Sequence, residues 1–118
     1  MRAHERDHQA ISDKLAATAP RFDPGQIVMT PGAIEALANH NALVSEYLLR
    51  HVSGDWGKLD AVDERANNGA LKTGLRLLSC YPLPKGQTIW IITEAVDLKA
   101  GDHPLQRKLT TVLTPEEY

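Results

Sequence analysis

The groups able to do chemistry are concentrated in His51-Val52-Ser53-Gly54-Asp55-Trp56-Gly57. That stretch brings together an imidazole, a hydroxyl, a carboxylate and an indole N–H, with Gly54 and Gly57 letting the backbone turn. Just upstream, Leu43, Tyr47, Leu48 and His51 fall at helical spacing, which sets His51 near a helix C-terminus. There the negative end of the helix dipole favours the imidazolium form. The structural use of the same residues is a helix stop, with Trp56 folded back as a core plug and Asp55 capping the next segment. Trp56 is expected to be buried where helices meet sheet, because an exposed indole forfeits its large apolar contribution. A binding surface drawn from this neighbourhood comprises Tyr47, Ser53, Asp55 and Trp56, extended by Arg65 and Asn67 of a very polar third helix.

Metal chemistry finds less support. His51 and Asp55 are ligand types, but no third ligand stands at a characteristic spacing. His4 and His8 are four residues apart and would share one helix face, yet they lie in a polar arm. His40 and His103 fall in expected loops. No metal and no cofactor is therefore expected. Cys80 has no partner for a disulfide or a C-x-x-C motif and reads as a buried, inert thiol.

The elements that must position these groups can be read from caps and periodicity. Residues 1–24 read as a polar arm, with only Ile11 and Leu15 at helical spacing before the turn Asp23-Pro24-Gly25. Residues 25–118 read as one domain. Ile27 to Met29 is a short strand, and Thr30-Pro31 opens a helix whose apolar face is Ala33, Ile34, Leu37 and Ala38. Asn41 is placed to cap a second helix ending near His51. Asp60 is placed to cap a third, with Gly69 just past its end. The period then changes to two: Gly74–Tyr81, Thr88–Glu94 and Lys108–Thr114 read as strands, and the stretch from Ala95 to Gln106 as a loop. Apolar residues on both faces mark Thr88–Glu94 as central. The expected architecture is α+β: a short N-terminal strand, two or three helices, then a three-stranded antiparallel meander.

Bulk properties bound the function classes. The chain has 118 residues, 42% hydrophobic and 24% charged, with a formal charge of −2. That describes one ordinary domain with no broad pull toward nucleic acid or anionic membrane. No apolar run approaches the ~20 residues of a membrane span. The N-terminus lacks the apolar core of a signal peptide, so a cytoplasmic location is expected. Phosphate-binding loop, nucleophile-elbow and helix-turn-helix signatures do not occur.

Five blocks carry a resemblance. They are residues 25–33, residues 50–57 (Arg-His-Val-Ser-Gly-Asp-Trp-Gly), residues 74–79, residues 89–95 (Ile-Trp-Ile-Ile-Thr-Glu-Ala) and residues 110–118, which end Thr-Pro-Glu-Glu-Tyr. Across residues 25–118 the chain resembles small bacterial proteins of plasmids and integrated mobile elements, labelled "plasmid-related protein" or "type I restriction endonuclease subunit M". The methyltransferase half of that label fails on the residues: there is no Asn/Asp-Pro-Pro-aromatic motif and no glycine-rich loop for a methyl donor. The resemblance implies an accessory protein of such an element. Its partner would be a protein or nucleic acid of the restriction, defence or conjugation machinery, and a homodimer stays open. More loosely, helices followed by a meander, with a histidine after a helix, is similar to the barnase–EndoU–colicin–RelE ribonucleases, which use no metal. That likeness implies His51 as acid or base, Arg76 as the phosphate-binding cation, and Thr93 or Thr111 as a polar strand residue in the cleft.

Overall fold

The computed structural model describes residues 20–118, and the expectations for His4, His8, Ile11 and Leu15 lie outside them. The fold is α+β. Strand β1 (Gln26–Met29) leads into helices α1 (Pro31–Asn39), α2 (Val44–Val52) and α3 (Ala61–Thr73). Strands β2 (Leu77–Pro82), β3 (Thr88–Thr93) and β4 (Leu109–Leu113) come next, with short 3₁₀ turns at Leu98–Ala100 and Pro115–Glu117. The late strands pair antiparallel in sequence order, as a meander should. β1 adds alongside β4 in parallel, so the sheet is mixed and runs β1-β4-β3-β2.

Local chemistry explains most boundaries. Thr30 caps α1 by accepting from the Ala33 N–H at 3.2 Å, with Pro31 in the first turn. The Glu117 carboxylate closes over the same helix start, accepting from the Thr30 hydroxyl at 2.6 Å and the Gly32 N–H at 3.0 Å. Asn41 does not cap α2: it takes a left-handed φ of 50° in the turn between helices, and Leu43 stands at the N-cap without a side-chain bond. Asp60 caps α3 through the Asp63 N–H at 2.8 Å. That helix does not stop at Gly69, which is exposed and within it. It ends at Gly74, whose φ of 79° makes it the left-handed cap that glycine favours. β2 accordingly begins at Leu77 and not at Gly74.

All three helices contribute to cores against the sheet. One core joins Ala33, Ala36 and Leu37 of α1 to Tyr81, Ile89, Ile91 and Val112. Ile34 and Ala38, expected on that face, are exposed instead. The second core joins Phe22, Val52, Trp56, Ala70 and Leu77. Phe22 and its neighbours therefore belong to the domain and not to an arm ending at residue 24. The Arg21 N–H bonds the Val52 carbonyl at 2.7 Å and the Asp23 N–H bonds Leu105 at 2.8 Å. Arg107 ties the far end together. Its buried guanidinium donates to the carbonyls of Ala70 (2.9 Å), Leu75 (2.7 Å), Glu94 (3.2 Å) and Pro104, joining the end of α3 to the sheet.

Trp56 is 4% exposed, and its indole N–H donates to Asn68 at 3.1 Å. Trp56→Ala should cost about 3–5 kcal/mol, read as a lowered melting temperature, because the second core loses its largest side chain. An unchanged melt would make the indole a surface contact. Glu117 generates a second expectation. Its hydrogen bonds, above all that from Thr30, hold its carboxyl down to about 2 from an ordinary 4.5. The resulting stability is complete above pH 4.5 and is lost as pH falls toward 2. Glu117→Gln should lower the melting temperature at neutral pH and flatten that part of the acid dependence. A pH profile identical to the parent's would show that the carboxylate contributes nothing.

Candidate functional site

His51 lies in the last turn of α2 and is 0% exposed. The ring of Phe22 stands edge-on to it at 5.3 Å and that of Trp56 at 5.7 Å, so aromatic surface seals the imidazole. Nδ1 lies 2.6 Å from the Ser79 hydroxyl and Nε2 lies 2.8 Å from the Thr93 hydroxyl. Thr93 and Thr110 are register partners on β3 and β4, with their hydroxyls 2.7 Å apart. Thr110 in turn donates to the Pro24 carbonyl at 2.8 Å.

That last contact orients the whole chain of bonds. A carbonyl only accepts, so the single Thr110 proton is spent on Pro24. Thr110 must then accept from Thr93, and Thr93 from His51 Nε2–H. Nδ1 is left as an acceptor, filled by the Ser79 hydroxyl. The histidine is thereby a neutral Nε2–H tautomer with both nitrogens satisfied. Burial, aided by the positive charge of Arg107, lowers its pKa from 6.5 to about 3. The expectation that the helix dipole would favour imidazolium is overturned: a dipole effect of about 0.3–1 kcal/mol is small beside the loss of hydration around a buried charge.

The rest of the 51–57 stretch serves the edge of β2. The Cys80 N–H bonds the Trp56 carbonyl at 3.0 Å, and the Lys58 N–H bonds the Cys80 carbonyl at 2.7 Å. Gly57 has φ 77°, and a Cβ there would come within 2.1 Å of the Cys80 carbonyl oxygen, so only glycine lets the backbones approach. Asp55 is exposed and pairs with Arg50 at 2.7 Å, which with the Gly57 N–H keeps its carboxyl below the usual range. Its main-chain carbonyl accepts from the Tyr81 hydroxyl at 2.5 Å. Ser53 is half-buried. Asn67 continues the clasp, accepting from the Leu78 N–H at 3.1 Å and donating to the Leu78 carbonyl at 2.6 Å, as a neighbouring strand would. Cys80 is half-buried and not fully enclosed.

The other sequence candidates separate. Tyr47 packs on Tyr81, with ring centroids 5.5 Å apart. Arg65 is exposed on α3. Arg76 is exposed, donates to the Tyr118 hydroxyl and lies over that ring, which meets Trp90 edge-on at 5.4 Å. Thr111 is one residue from Thr110 and so points to the opposite sheet face. His51 and Thr93 therefore meet inside the protein, whereas Arg76 and Thr111 do not join them. Ser79, Thr110 and Arg107 were not among the residues singled out from sequence. A period-two signal was available for Thr93, which continues the inward row Ile89, Ile91, and for Thr110, which shares the phase of Val112 on the same strand. Nothing local marks Arg107.

The open site lies elsewhere. A cleft of about 510 Å³ runs between residues 20–24, β1 and α2, lined chiefly by Phe22, Pro24, Ile27, Leu48, Leu49 and Leu105. It is apolar, with Arg21 and Asp23 at its border. Among the described residues no cluster of three metal-ligating side chains occurs, and no helix is long and apolar enough to cross a membrane. No protein-family model, curated protein or solved structure matches the chain.

The network generates two expectations. Thr110→Val leaves the Pro24 carbonyl and the Thr93 hydroxyl unpaired and should cost about 1–3 kcal/mol. A melt equal to the parent's would contradict the relay. Because the folded pKa of His51 is depressed, the unfolded chain binds a proton that the folded one refuses between about pH 3 and 6.5. Stability from this residue is complete above pH 6.5 and falls by about 1.4 kcal/mol per pH unit below it. Denaturant titrations from pH 7 to 5 measure that slope. No loss of stability over that range would show that the imidazole protonates freely in the folded state.

Proposed function

We propose that this chain is a non-catalytic interaction module that holds a protein partner in its apolar cleft. The observation that carries this reading is the cleft itself: about 510 Å³ of largely apolar surface open at the edge of the domain. Phosphate-backbone binding draws on clustered lysine and arginine, and this chain has a net charge of −2, so a protein fits better than a nucleic acid. The resemblance to plasmid and mobile-element proteins supplies the setting, an accessory role in restriction, defence or conjugation within the cytoplasm. Acid–base cleavage of RNA would need an imidazole able to reach substrate and exchange a proton near neutral pH. His51 is 0% exposed with both ring nitrogens engaged, which favours a structural role.

Ile27 is 43% exposed and lines the cleft, so Ile27→Glu changes the site at little cost to the core. Crosslinking in cells carrying such an element should capture a protein on the parent chain and on Arg65→Glu, and lose it on Ile27→Glu. Capture that survives Ile27→Glu and fails with Arg65→Glu would move the site to α3. Cleavage of RNA in EDTA by the folded chain, abolished in His51→Ala, would overturn the non-catalytic reading.

A further inference from the structure

Among the described residues, the strand that borders the cleft has an edge with no main-chain partner. Two bonds that flank β1, Gln26 N–H to Lys108 at 3.0 Å and Thr30 N–H to Val112 at 3.0 Å, are four residues apart on both strands. In a parallel ladder that phase turns the amides of Gln26, Val28 and Thr30 toward β4. Those of Ile27 and Met29 face outward, and among the described residues no main-chain group pairs with them. The opposite edge of the sheet is treated differently, since β2 is covered by Trp56, Lys58 and Asn67.

Side-chain phase adds the second half. Ile27 and Met29 share the sheet face of Thr110 and Val112, which is the helix side. A strand laid beside β1 would present every second side chain to that same face, over Leu48 and Leu49 and into the cleft. Outward N–H and C=O groups spaced along a strand match another extended backbone, and not a helix, whose own backbone bonds are internal. We infer that β1 is a strand-accepting edge, and that the cleft takes an extended segment of a partner protein with apolar side chains at alternate positions. This rests on the interaction-module reading and specifies the form of its ligand.

The probe is a library of random linear peptides displayed against the full chain. Enriched sequences should carry apolar residues at i and i+2. A synthetic enriched peptide should shield the Ile27 and Met29 amides from hydrogen exchange, and N-methylation of the peptide at one pairing position should weaken binding about tenfold. Ile27→Pro removes the outward N–H together with the Ile27 side chain, at a position where an edge strand tolerates proline, and should weaken the same peptide more than Ile27→Ala, which keeps the N–H, with the domain still folded. Enriched peptides with apolar residues at i, i+3 and i+4 that fill the cleft and leave the Ile27 and Met29 amides exchanging would overturn strand addition while retaining the binding module. Absence of any cleft-binding peptide would overturn both. Concentration-dependent dimerisation of the chain, lost in Ile27→Pro, would make a second copy the occupant and overturn the foreign segment.

Discussion

The carbonyl of Pro24 can only accept a hydrogen bond, and the interior is organised around that constraint. It directs the Thr110 hydroxyl, then Thr93, then the His51 ring, and leaves Ser79 to fill the last lone pair. Five polar groups from the segment before β1, from β4, β3, α2 and β2 thereby bury one another without an orphan. A half-satisfied network of this kind would destabilise the core, because each unpaired group keeps its desolvation cost. Fully satisfied, it pins the end of α2 to three strands, and the rings of Phe22 and Trp56 exclude water from the imidazole.

Arg107 performs the corresponding task for α3. At the end of α3 the Ala70 carbonyl accepts from both the Gly74 N–H and this guanidinium, which also holds Leu75, Glu94 and Pro104. Burial lowers its pKa, although a guanidinium remains charged at any ordinary pH. That permanent charge near His51 is a further reason why the imidazole stays neutral. Both ends of the helical layer are fixed by polar contacts, and among the described residues an apolar cleft stays open beside β1 and α2.

Local signals were legible where the chemistry was local. Thr30-Pro31 and Asp60 open helices as their side chains dictate, Trp56 is buried, and the period-two stretches become antiparallel strands. The features that escaped sequence reasoning depend on partners distant in the chain. Nothing near His51 announces that Ser79 and Thr93 will meet it 28 and 42 residues later. The dipole at His51 is set by α2 alone, whereas the aromatic seal comes from Phe22 and Trp56 outside that helix. Val112 and Leu113 are both apolar, so the sequence leaves the phase of that strand, and with it the inward residue of the Thr110–Thr111 pair, ambiguous. Phe22 stands in sequence at the end of a polar stretch, just before the turn Asp23-Pro24-Gly25, whereas its neighbours in space are His51 and Trp56.

The central claim is that the imidazole of His51 is a neutral structural link with one defined tautomer. Nitrogen-detected NMR of the histidine ring tests it most directly. The account predicts a protonated Nε2 and a bare Nδ1, with signals unchanged from about pH 8 to pH 5, consistent with a folded pKa of about 3. A ring that titrates near 6.5 with averaged nitrogen signals in the folded protein would contradict it, and would return His51 to the groups that can exchange protons with a substrate.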